Sequence, residues 1–196
     1  MDGERGIWRS DADQIQESLG DPKAFGAIFE RHGMAIHRYL QRAVSRTAAD
    51  DLTSEVFVTA FRVRGHYDRR YSDARPWLFG IATNVVRHHF RSERRRRRLI
   101  DRLAHGDRPH HVEDPAEAGG RGDEAVATAL AQVDGRYREV LLLYAGVHLS
   151  YVEISDALSI PVGTVRSRLS RGRAQLRELL TAGGQDMSSI EEETRP

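Results

Sequence analysis

Residues 149–177 read LSYVEISDALSIPVGTVRSRLSRGRAQLR, two short helical patterns separated by a tight break, the second dense in arginine. Ser150 followed three residues later by Glu153 has capping-box spacing, in which each side chain satisfies a free amide at a helix start. Ile154, Ala157 and Leu158 then share one helical face. Ile160-Pro161 predicts a helix stop, because the residue before proline is pushed out of the α region. A second helix is expected from about Gly163-Thr164, with Val165 and Leu169 facing inward and Arg166, Arg168, Arg171 and Arg173 falling away from that seam. The pattern predicts a helix-turn-helix whose second helix enters a major groove, where arginine pairs with guanine edges or phosphates. The plainer reading is a helical hairpin with a solvated basic face. Lys23 is the single lysine of the chain, so part of the arginine density reflects composition. Cap, proline and arginine helix nevertheless follow one another in the order and spacing that DNA docking requires, which favours DNA binding.

Working outward, the chain divides by texture. Residues 1–21 are polar, with a short helix expected around Ile15 and Leu19. Helical patterning occupies 22–103. Residues 104–123 carry Gly, Pro, Asp and His with almost no apolar content and read as a flexible linker. Patterning resumes over 124–182 and stops at Gly183-Gly184, and the acidic tail 183–196 reads as disordered. No strand alternation emerges, so the expected fold class is all-α: two small helical domains joined by a linker, the second a helix-turn-helix.

In the first domain Phe25, Ile28, Phe29, His32, Ile36, Tyr39 and Leu40 recur at helical spacing as a core face, and His32 and His37 read as helix-surface or interface residues. Residues 48–62, AADDLTSEVFVTAFR, form a second helix with Asp50 and Asp51 at its start, where acids complement the helix dipole. Asp51 and Glu55, four apart, place two carboxylates on the outside: a solvated face, or a docking edge for a basic helix. Residues 65–75 have the makeup of an exposed loop, and Pro76 suits the first turn of the helix that follows. Trp77, Leu78, Ile81 and Val85 form its apolar stripe, while Asn84, Arg87, His88 and Arg91 project elsewhere. Residues 84–98 hold seven arginines against Glu93, a strongly basic run in a chain whose formal charge is +1. A polar loop beside a basic, aromatic-bearing helix suits single-stranded nucleic acid, with charge tracking the backbone and a pocket taking unstacked bases.

Composition excludes several function classes. Cysteine is absent, which removes disulfides, cysteine-ligated zinc and thiol redox sensing. His105, His110 and His111 lie in the linker without the spacing of a metal site, so neither metal nor cofactor is expected. No set of carboxylates and histidines converges on one helical face, which argues against an enzyme. No apolar run approaches membrane-spanning length and no basic-then-apolar leader opens the chain, so a cytoplasmic location without membrane contact is the default.

ADDLTSEVF with PWLFGIATNVVRHHFR in the first domain, and LSYVEISDALSIPVGTVRSRLSRGR in the second, together resemble the extracytoplasmic-function (ECF) sigma factors, two-domain factors of bacterial transcription initiation. The resemblance covers roughly residues 11–180 apart from the linker. It implies that Asp51, Ser54 and Glu55 dock on core RNA polymerase. It implies that the loop 66–75, including Tyr71 and Arg75, captures a flipped base of the −10 element together with Asn84, with Trp77 anchoring the helix and Arg87, His88 and Arg91 along the melted strand. Thr164, Arg166, Ser167, Arg168 and Arg171 correspond to the helix that reads the −35 element of duplex promoter DNA. The linker would thread toward the polymerase active-site channel, and an anti-sigma factor is an expected partner. A polymerase-independent helix-turn-helix regulator is one alternative, and a decoy that sequesters an anti-sigma factor is another. Three positions depart from the family pattern: Ser54 where Gln is usual, Ser159 where Gly is usual in the turn, and Val133-Asp134-Gly135 in place of a Leu-Pro entry to the second domain. If residue 159 is left-handed, serine there costs about 1 kcal/mol.

Overall fold

The computed structural model describes residues 9–103 and 121–182. The linker histidines and the acidic tail lie outside them. The fold is all-α, and no strand occurs among the described residues. The first domain consists of α1 (Asp11–Glu17), α2 (Gly26–Ala43), α3 (Arg46–Val63) and α4 (Arg75–Leu103), with single 3-10 turns at Pro22–Phe25 and Arg64–His66. The second consists of α5 (Arg121–Gln132), α6 (Gly135–Leu141), α7 (Tyr151–Leu158) and α8 (Val162–Ala182); α6 runs on into a π turn over Leu142–Gly146.

Ile28, Ile36 and Leu40 of α2, Val56 of α3 and Leu78 of α4 are fully buried and form the first core. Tyr39 and Phe79 meet edge to face at 5.4 Å. The Thr83 hydroxyl donates to Phe79 O at 2.8 Å and accepts from the Tyr39 hydroxyl at 2.9 Å, so the one polar tip in this core is satisfied. Burial, foremost, pushes the Tyr39 phenol up to about 12. Phe29, expected in this core, is 52% exposed; it rests edge-on against Phe57 at 4.9 Å, on the outer side of the α2–α3 pair. In the second domain Val140, Leu143, Leu149, Ile154, Val165 and Leu169 form the core. Gly172 lets α8 approach α6, since a side chain there would meet Leu141 and Tyr137 at 3.0–3.1 Å. Asp134, at a position departing from the family pattern, caps α6 by accepting from Arg136 N at 3.0 Å.

The two domains are docked. Helix α7 lies along α4 at Gly80, where any Cβ would stand 2.6 Å from Ala157 O. Arg42 of α2 donates to Gly146 O at 2.8 Å, and the Arg138 guanidinium of α6 sits 5.3 Å from the Phe90 ring of α4.

Candidate nucleic-acid interface

The helix-turn-helix is built by local rules. Ser150 Oγ accepts from Glu153 N at 3.3 Å and Glu153 Oε2 accepts from Ser150 N at 2.7 Å, so the expected capping box closes. The stop differs from the sequence expectation. Helix α7 ends because Ser159 is left-handed (φ 53°, ψ 45°), not because of Pro161. Ile160 N reaches back to Ser155 O at 3.1 Å, and Ser155 Oγ donates to Ile160 O at 2.6 Å. Pro161 instead opens α8, its carbonyl accepting from Thr164 N at 2.8 Å and Val165 N at 3.1 Å. With Val165, Leu169 and Gly172 buried, Arg166, Ser167 and Arg171 are exposed, whereas Thr164 and Arg168 are half-buried. Arg166 lies 6.0 Å from the Tyr151 ring, and Arg173 lies 5.2 Å from that of Tyr144. Arg168 instead lines the cleft between the domains.

In the first domain, residues 67–74 bridge the Arg64–His66 turn to α4. Tyr67 is buried with its ring 5.1 Å from that of Trp77, and its hydroxyl donates to Tyr71 O at 2.7 Å. Tyr71 is 46% exposed at the crest. Asn84, His88 and Arg91 are exposed along α4. Arg75 and Arg87 are engaged by the second domain. Arg75 donates to Val147 O, and Arg87 forms a two-pronged ion pair with Glu139, Nε and Nη2 each 2.6 Å from a carboxylate oxygen. That pair raises the Arg87 pKa further and is the largest cause of its shift. Asn84 Oδ1 accepts from Arg87 at 3.3 Å. An open cleft of about 960 Å³ separates Asn84, Arg87, Arg91 and Arg94 from Arg136 and Arg168. The structure thus gathers Asn84, Arg87, Arg91 and Arg168 around one cleft and leaves Trp77, His88, Arg166 and Arg171 outside its lining.

Asp51, Ser54 and Glu55 are exposed on α3. Helix α3 begins at Arg46, so Asp50 and Asp51 stand in its second turn and do not complement its first. Asp50 is paired with His37 Nε2 at 2.8 Å, and the shorter Ser54 hydroxyl folds back toward Asp50 O at 3.4 Å.

Sequence reasoning missed a buried cluster beneath the loop. Asp11 accepts from His32 Nε2 at 2.7 Å, from Arg31, and from Ala74 N at 2.8 Å. Burial would raise the Asp11 pKa, but hydrogen bonds from His32, Ala74 and Arg31 outweigh it and bring it to about 2. Asp11, His32 and Asp73 converge within 4.8 Å, but the Arg31 guanidinium already supplies the positive charge that a cation would bring. His32 is therefore a buried hydrogen-bond partner of Asp11. The available signal was the Ser10–Asp13 capping spacing, which marks α1 as a real helix. Glu139 was also missed, and nothing local in the sequence points to it.

Comparison with known proteins agrees with this arrangement. Residues 28–96 match Sigma-70 region 2, and residues 123–176 match Sigma-70, region 4. The ECF RNA polymerase sigma factor SigC of Mycobacterium tuberculosis is 35% identical over 165 residues, 83% of this chain and 86% of its own length. The structure of CnrH, a sigma factor of Cupriavidus metallidurans, in complex with the cytosolic domain of CnrY has a TM-score of 0.63 at 30% identity, covering 88% of this chain and 99% of that one. The sigma factor RpoE in complex with the anti-sigma factor NepR from Bartonella quintana gives 0.63 at 25% identity, covering 81% and 98%.

Proposed function

This chain belongs to the ECF RNA polymerase sigma factors, and from that membership we propose which of its residues do the work. As an alternative sigma factor it binds core RNA polymerase and directs initiation at promoters bearing −35 and −10 elements. The finer assignment is as follows. Asp51, Ser54 and Glu55 form the edge that docks on core polymerase, within a unit spanning residues 22–103. Tyr71 and Arg75 of the loop, with Asn84 of α4, capture an unstacked base; Trp77 anchors that helix, and Arg87, His88 and Arg91 follow the strand. Thr164, Arg166, Ser167, Arg168 and Arg171 read the −35 major groove from a unit spanning 124–182, with 104–123 joining the two.

The observation that carries this reading is α8 itself. A capped, left-handed turn sets a helix whose inward seam is apolar and whose Arg166, Ser167 and Arg171 face solvent. Such a helix fits the major groove with its side chains at base edges. On α4 there is no duplex to read. Unstacking a base costs a few kcal/mol, offset by aromatic contact at the loop and by arginine–phosphate pairing along the helix. Because much of the affinity comes from displaced counterions, DNA binding falls steeply with salt.

The solved relatives complexed with anti-sigma factors support an anti-sigma partner here as well, and the absence of cysteine places any thiol-based sensing on that partner. No helix of the described residues is long and apolar enough to cross a membrane, in keeping with a cytoplasmic site of action. The test is transcription in vitro: purified protein with core polymerase on fragmented genomic DNA, with the 5′ ends of the products sequenced. Discrete starts preceded by shared −35 and −10 sequences are expected. Random starts with duplex binding intact would move the assignment to a polymerase-independent regulator.

A further inference from the structure

Asp11 is a carboxylate with 3% exposure at the first position of a seven-residue helix. Burying a carboxylate is costly unless its lone pairs are filled, and a helix needing only to pack would use its apolar Ala12 and Ile15. The partners of Asp11 fall into two sets. On α2, Arg31 pairs with the carboxylate and the His32 ring hydrogen-bonds to it. On the loop before α4, Asp11 Oδ2 accepts from Ala74 N at 2.8 Å, and Asp11 N donates to Ser72 O at 3.0 Å. Asp11 therefore grips the backbone on both sides of Asp73 while the Arg31 guanidinium and the His32 ring hold it in place. The upstream stem of the same loop is fixed separately, by the Tyr67 ring against Trp77 and the Tyr67 hydroxyl on Tyr71 O. Between the two anchors stands Tyr71, exposed, and immediately beyond the second stands Arg75.

We propose that Asp11 is a positioning residue for promoter melting: it clamps residues 72–74 to α1 and α2, holding Tyr71 and Arg75 ready for an unstacked base of the −10 strand. The proposal rests on reading this loop as the base-capturing element. A loop ordered in advance does not pay its ordering entropy when the base arrives, so the clamp acts on base capture and not on contacts elsewhere. The docking edge on α3 and the arginines of α8 touch none of these groups.

The test uses holoenzyme assembled from core polymerase and the full chain, on forked promoter DNA made from a mapped start. Single abasic positions are introduced through the −10 strand. At the most sensitive position the wild type is expected to prefer the intact base by about tenfold, the order expected for one stacked base. Asp11→Ala should reduce that preference below about threefold by leaving the loop to be ordered on binding. Affinity for core polymerase and for −35 duplex should stay unchanged. Asp11→Asn keeps the shape without the charge that attracts Arg31; it should give an intermediate ratio, and it serves if Asp11→Ala does not fold. Ile15→Val, which loosens the packing of α1 and leaves the Asp11 hydrogen bonds in place, should keep the wild-type ratio and so separates clamping from mere destabilisation. Wild-type discrimination in either Asp11 variant overturns the proposal. A wild type indifferent to every abasic position would instead overturn the reading of the loop itself.

Discussion

The two surfaces proposed to read DNA stand in opposite conditions. On α8, Arg166, Ser167 and Arg171 face solvent. On α4 and its loop, Arg75 and Arg87 are already bonded to Val147 O and Glu139, both from the second domain, and α7 lies against Gly80. The helix that supports the open surface is therefore the helix that covers the other. A −35 and a −10 element lie about 25 base pairs apart, on the order of 85 Å at ~3.4 Å each. Asn84 and Arg168 line a single cleft, so the docked pair holds these two positions much closer together than that. Reading both elements as proposed therefore requires the second domain to leave α4.

The sharpest way to break this contrast is Gly80→Leu. A Cβ 2.6 Å from a backbone oxygen cannot be relieved by a rotamer change, so the helices must part. Leucine also improves the helix propensity of α4 by about 1 kcal/mol, so the first domain itself is not harmed. Small-angle scattering of the free protein should show a larger radius of gyration than wild type, with faster amide exchange in α7. Unchanged scattering would mean that the α4–α7 contact does not hold the domains together. Next in size, Arg171→Ala should weaken −35 duplex binding by about tenfold, the order of one lost base or phosphate contact, and leave −10 strand binding alone. Equal loss on both DNAs would dissolve the division of labour between the two surfaces.

A smaller effect tests the occupied surface. Glu139→Gln preserves shape but removes the charge on Arg87, a loss of about 1–2 kcal/mol for a charge-assisted pair. Binding of a single-stranded −10 oligonucleotide by the free protein should rise about fivefold or more. Removing an acid favours DNA in general, so the comparison is repeated in Arg87→Ala, where the gain should vanish. A gain that persists there would assign it to bulk charge.

The contrast also marks what the sequence discloses. The capping box at Ser150 and Glu153, the inward seam of α8 and the arginines opposite it are spacings of three and four residues, so periodicity reveals them. The docking of α7 on α4 is not local: Arg87 and Glu139 are 52 residues apart, and only the packed structure brings them together. The same reason hid Asp11, whose partners at His32 and Ala74 lie 21 and 63 residues away. Phe29 followed the helical period but stands at its edge, where the neighbouring helix ends the burial. Asp50 and Asp51 were placed against a helix dipole because the start of α3 was read two residues late.

The least of the expected effects falls on the pivot between the two surfaces. Ser159 joins α7, which covers α4, to α8, which faces DNA, and its backbone is left-handed at φ 53°. A side chain in that region crowds the following carbonyl at a cost of about 1 kcal/mol, which glycine avoids. The αL geometry is fixed by the Ser159 N–H on Asp156 O and by Ile160 N on Ser155 O, contacts that do not involve the serine side chain. Ser159→Gly should therefore stabilise the second domain by something less than 1 kcal/mol in chemical denaturation, because glycine also loosens the unfolded chain. Affinity for −35 duplex and for the docked first domain should not change, since the angle between α7 and α8 is kept. If stability rises while either affinity falls, the serine is setting that angle, and the two surfaces are coupled through the turn as well as through the α4–α7 contact.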